Sequence, residues 1–177
     1  MYYVRKLSKP SSLYKLQTQE DIQTICADFL GQDMRTTNNT LSVWRSETLN
    51  PSDLDNAIKA ALLTCSQVNA TQFIILDSEA LSRADISTSD EQPGKTAYKG
   101  LENLHTDLCE LTYEKIGTLL QLYQDASSQP DRIPKIEKKR FKEIIVEAHS
   151  LGVLDISVLQ DHMQKEVAKV IGSLATS

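Results

Sequence analysis

Residues 73–76 read Phe73-Ile74-Ile75-Leu76, an unbroken apolar run closed by Asp77. No polar residue alternates with the apolar ones, so neither side of this segment is prepared for water. A run this short, rich in β-branched and aromatic residues, reads as a strand buried on both faces. The chain must therefore supply cover for two faces of a sheet. That requirement constrains the fold more than any other feature.

The preceding segments suggest how the cover is arranged. Residues 2–7 alternate and are aromatic-rich, which predicts a strand that Pro10-Ser11-Ser12 ends. Thr18 to Asp21 has the form of a capping box, and Ile22, Ile25, Cys26, Phe29 and Leu30 share one helical face. Gly31 can close that helix. Asn38-Asn39 tolerate a left-handed backbone and lead into a second strand, Leu41 to Trp44. Asn50-Pro51 opens another helix, with Pro at the first helical position, where its missing amide costs nothing. The order β-α-β-α-β predicts a small three-stranded, mostly parallel sheet over residues 1–81, an α/β unit with an α+β arrangement as the alternative.

The second half reads as helical. Residues 82–97 form a polar loop. Leu101, Leu104, Leu108 and Leu111 are spaced by 3 and 4, predicting a long helix over about 97–126. A linker near 127–134 follows, then a helix over about 135–150 and a last one starting at Asp155 or Ser157. The expected architecture is thus an α/β unit followed by an all-helical region of about three helices over 98–177.

Composition narrows the function classes. No segment is long and apolar enough for a transmembrane helix, and MYYVRKLSKP lacks the apolar core of a secretory signal, so a cytoplasmic protein is expected. Net charge is −5 and unevenly spread. Residues 1–16 carry only bases, residues 17–110 carry fifteen acids against six bases, and the remainder is balanced. An acidic middle opposes general binding to a phosphate backbone, so a nucleic acid is expected only through a complex. Cys26, Cys65 and Cys109 have no zinc-ligand spacing, and no metal or other cofactor is expected. No glycine-rich loop follows a strand, which excludes a P-loop or a dinucleotide fingerprint.

Four acid or base candidates remain. In a parallel sheet, ligands sit beyond the carboxyl ends of strands. Asp77, Glu79 and Glu47 fall there and could hold a divalent cation for phosphoester hydrolysis. His105 lies three residues after Glu102, on one face of the expected helix, with Asp107 and Cys109 nearby. A basic run, Lys138, Lys139, Arg140 and Lys142, precedes Ala148, Gly152 and Val158, whose spacing suits a helix-turn-helix over 140–162. Arg35 and Trp44 are residue types enriched among interface anchors and are candidate protein contacts.

Absent catalytic motifs, an acidic middle and surplus amphipathic helix point first to a non-enzymatic interaction or accessory subunit with a protein partner. Its size and class suit a cytosolic assembly such as a bacterial toxin-neutralising or phage-defence system. A metal-dependent hydrolase and a DNA-binding regulator are the alternatives.

Overall fold

The computed structural model describes residues 1–8, 17 and 31–173. The expected break at Pro10, the body of the helix over 18–30 and Cys26 lie outside these residues. The helical turn that enters at Gly31 runs on to Asp33, so Gly31 is helical and is not its cap.

The elements are β1 (Tyr2–Lys6), β2 (Leu41–Ser46), α1 (Pro51–Leu62), β3 (Thr71–Asp77), α2 (Ser78–Arg83), β4 (Ser87–Ser89), β5 (His105–Cys109), α3 (Tyr113–Ser127), β6 (Lys135–Ile136), α4 (Lys138–Ser150) and α5 (Asp161–Gly172). One sheet of six strands has the order β4-β5-β2-β1-β3-β6, and every pairing is antiparallel. This overturns the expected three-stranded parallel unit with an all-helical second half. The fold is α+β.

The error has a definite origin. β2, α1 and β3 do form a strand-helix-strand crossover, and β2 and β3 point the same way. They are not neighbours, because β1 lies between them and runs against both. This is a split β-α-β unit. Double burial of a strand reports that both faces are covered and says nothing of strand direction. The long helix expected over 97–126 is likewise replaced. Residues 102–104 form a 3-10 turn, β5 follows, and α3 starts only at Tyr113. β4 lies within the expected polar loop.

The two faces carry separate cores. Ile74 and Leu76 join Tyr3, Leu41, Val43 and Leu108 beneath Leu119, Leu120 and Tyr123 of α3. Phe73 and Ile75 join Val4 and Trp44 beneath α1, α4 and α5. All four residues of the apolar run are at most 2% exposed, as their sequence requires. Full burial of each contributes about 2 kcal/mol from apolar area alone.

Two local features follow their residue types closely. Asn38 and Asn39 have φ of 53° and 59°, and Thr37 and Thr40 exchange backbone hydrogen bonds of 3.1 and 3.0 Å. Two successive left-handed residues make the tight two-residue hairpin turn that favours Asn. Tyr123 is fully buried, and among the described residues its hydroxyl makes no hydrogen bond of ordinary geometry, the Arg5 guanidinium being its nearby polar neighbour. Burial pushes that hydroxyl up to about 12, with the nearby Arg5 guanidinium pulling it down and Asp33 adding to the rise.

Candidate functional site

The pairing between β1 and β2 runs only from Tyr2 to Val4, opposite Ser46 to Trp44. β1 continues against β3 through Lys6, while β2 continues against β5 back to Leu41. The two central strands therefore part company after Val4. The guanidinium of Arg5 reaches across the gap and donates to the Ser42 carbonyl at 2.6 Å and to the Asp33 carbonyl at 3.2 Å. A cleft of about 530 Å³ lies at this parting, between the end of α1 and the loop of residues 90–95. That size is in the range of small-ligand sites.

The floor of the cleft is Trp44 and His105, directly paired across β2 and β5. Their rings meet edge to face, centroids 5.5 Å apart. The Nδ1 of His105 is 2.9 Å from the Gln92 carbonyl. A carbonyl only accepts, so Nδ1 carries the proton. Nε2 faces Asp107 Oδ1 at 3.7 Å, and the same Oδ1 accepts from the Ser42 hydroxyl at 3.0 Å.

The wall is fastened at alternate residues. Asp90 accepts from the buried Thr106 hydroxyl at 2.6 Å and pairs with Arg45. Gln92 is held by His105. Gly94 donates to the Glu102 carbonyl at 2.8 Å. Gly94 itself is pressed so closely on Trp44 and His105 that a Cβ there would lie 2.7 Å from His105 Cβ. Only glycine lets the backbone approach this far.

Among the described residues of the cleft no nucleophile is paired with a base. Ser42 and His105 both address Asp107 and not each other, so the hydroxyl has no base in line to activate it. Neither described cysteine is set up as a nucleophile. Burial pushes the Cys65 thiol up, against the pull of Lys6; burial, with Asp107, Glu110 and Glu91, raises Cys109. Raised thiols carry little thiolate at neutral pH.

The other candidate residues do not assemble. Asp77 caps α2, accepting from the Glu79 amide at 2.8 Å, and lies 3.9 Å from Arg132. Glu79 is exposed and paired with Arg83 at 3.8 Å. Glu47 is exposed just beyond Ser46, two strands from Asp77. His105 is three strands from β3, about 14 Å at ordinary strand spacing. Among the described residues no group of three or more His, Cys, Asp or Glu is placed to hold a metal ion. Glu102 and His105 do not share a helix face, since His105 opens β5. The Glu102 carboxylate instead accepts from the Gly100 amide at 2.7 Å.

The surface candidates are also redistributed. Arg35 is exposed, but Trp44 is 6% exposed and belongs to the cleft floor, so the two form no joint surface. Arg140 is tied to Glu143 and Glu147, whereas Lys138, Lys139 and Lys142 are exposed on α4 without an ion pair among the described residues. Gly152 does take a left-handed φ of 70° after α4, and Ala148 is buried. Residues 151–160 then separate α4 from α5, far more than the tight turn of a helix-turn-helix. Val158 lies outside α5 and is 53% exposed, so it does not lock a second helix.

Sequence reasoning missed the cleft's cations. Lys6 and Lys95 lie far apart in the chain, and only the parting of β1 from β2 brings them to one opening. No helix among the described residues is long and apolar enough to cross a membrane. Set against family models, curated proteins and solved structures, the chain matches none of them.

Proposed function

We propose that this chain is a non-enzymatic interaction subunit of a larger cytosolic assembly, with a protein partner docking on the corner between α4 and α5. One observation carries the reading. Leu151, Ile156 and Val158 are 70%, 43% and 53% exposed, three large apolar side chains within eight residues of sequence. Such a grouping is unusual on a free surface and suits a partner.

The corner is also preorganised. Lys99 donates to the Val153 carbonyl at 2.8 Å, and Asp155 donates to the Ala97 carbonyl at 2.8 Å. Tyr98 and Leu154 bridge between them. The Asp155 carboxylate is held below its ordinary range by hydrogen bonds from the Ser157 hydroxyl and amide. A surface already fixed loses little entropy on binding. The free lysines at the start of α4 favour a partner that brings acidic residues beside its apolar patch.

The test is size-exclusion chromatography with mass measurement on protein purified from its native host. The expected result is a defined complex that the combined Leu151→Ser, Ile156→Ser and Val158→Ser variant loses while keeping its melting temperature. A stable monomer with no co-purifying partner, and no binding in a pull-down, would sink the reading.

A further inference from the structure

We infer that the partner at this corner docks as an extended strand, pairing with the backbone of Leu154. The inference rests on the docking corner proposed above and names the chemistry that meets it. Residues 97–99 and 153–155 lie antiparallel, with Tyr98 opposite Leu154. The two hydrogen bonds between them run from Lys99 to Val153 and from Asp155 to Ala97. Both flank the Tyr98–Leu154 pair and neither uses it. In an antiparallel ladder the backbone groups of such a pair point away from each other. The N–H and C=O of Leu154 are therefore on the outer side of the segment.

The two outer edges are not alike. The Tyr98 amide donates to the Thr96 hydroxyl at 3.2 Å, and Thr96 is buried. The Leu154 amide and carbonyl have no hydrogen-bond partner among the described residues, and Leu154 is half-buried. Neighbouring groups are spent within the corner. The Val153 amide donates to the Ala148 carbonyl at 3.0 Å, and the Asp155 carboxylate accepts from Ser157. No lysine or proline stands in 153–155 to blunt the edge.

One donor and one acceptor, spaced as a strand spaces them, match the same pair on another extended chain. A docking helix has closed its own backbone bonds. It would bury the Leu154 pair unsatisfied, which is costly. The surroundings agree with a strand. Leu151 stands before the segment and Ile156 and Val158 after it, all exposed, and they offer apolar contact to its alternate side chains. Lys138, Lys139 and Lys142 on α4 are exposed without an ion pair among the described residues, so acidic residues flanking the apolar ones complement this side of the molecule.

The test uses the complex purified from the native host, with the partner identified by mass spectrometry. Amide hydrogen exchange is measured on the free chain and on the complex. The Leu154 amide should exchange nearly unprotected in the free chain and about a hundredfold more slowly in the complex. Leu154→Pro removes the donor, whereas Leu154→Ala keeps it. After a check of both melting temperatures, the Pro variant should bind about tenfold more weakly than the Ala variant. Should Leu154→Pro fail to fold, the exchange measurement decides alone.

The inference fails if the complex forms through Leu151, Ile156 and Val158 while the Leu154 amide exchanges as fast as in the free chain. The corner would then take a helix or a loop. It fails also if the amide is already slow in the free chain, or if a folded Leu154→Pro variant binds like Leu154→Ala. With no complex at all, the docking corner itself falls and this inference with it.

Discussion

Gly94 lays its backbone against Cζ3 and Cη2 of Trp44, leaving no space for a Cβ. Its φ lies outside the left-handed range, so proximity alone demands glycine here. Gly94→Ala must push either the wall or the Trp44 ring, and overpacking of this kind costs about 1–3 kcal/mol. Urea unfolding should show that loss together with a shift in Trp44 emission. A variant as stable as wild type with unchanged emission would mean that the wall does not rest on the ring.

Asp90 is the other fastening of that wall. Asp90→Ala removes the acceptor of the Thr106 hydroxyl, which is completely buried, and the partner of Arg45. A buried donor left without an acceptor costs about 1–3 kcal/mol. Amide hydrogen exchange should accelerate at Gln92 and Gly94 while the amides of β3 keep their protection. Uniform acceleration through the sheet would contradict a local role.

The turn at Asn38 and Asn39 gives a prediction of sign. Both residues hold left-handed backbone, which costs an ordinary L residue about 1–2 kcal/mol. Asn39→Ala should destabilise by about 1 kcal/mol, and Asn39→Gly should leave stability equal or slightly higher. Thermal melts of the two variants decide it; equal losses for Ala and Gly would show that the Asn side chain, not the backbone, matters.

Tyr123 controls stability at alkaline pH. Its ordinary value is 10.0, and in the folded chain it is pushed up to about 12. Below 10 the folded and unfolded chains are both protonated at this group, and its contribution is fully present. As pH rises from 10 to about 12 the unfolded chain releases the proton and the folded chain keeps it, so stability falls with pH. Tyr123→Phe should remove that part of the slope. At neutral pH it should be neutral or stabilising by about 1 kcal/mol, because it deletes a buried hydroxyl that makes no hydrogen bond of ordinary geometry among the described residues. A loss of stability at neutral pH would instead reveal a hydrogen bond to that hydroxyl.

Much of the local structure was legible in residue order. The apolar run gave β3, Asn50-Pro51 marked the start of α1, and Asn38-Asn39 announced a left-handed turn. β5 was hidden for a physical reason. Leu104 and Leu108 are four apart, a spacing that serves one face of a helix and one face of a strand equally. Thr106, β-branched and lying between them, is the residue that breaks the tie toward a strand. Strand direction was not legible, because burial patterns are the same for parallel and antiparallel neighbours once helices cover both faces. The site was legible only as scattered parts: Trp44 and His105 stood out singly, but their pairing depends on a register that no local pattern records.

β1 is made before the other described strands of the sheet and is one of its two central strands. Its neighbours are not complete until residues 46 and 77 have been made. Until then it is an unpaired strand with Tyr3 on one face and Val4 on the other, a template for association with other nascent chains. Arg5 and Lys6 follow at once and carry the charge that discourages such stacking. The cations that line the cleft in the folded molecule thus serve earlier as gatekeepers. Neutralising both should lower soluble yield during expression more than it lowers the melting temperature of the protein that does fold.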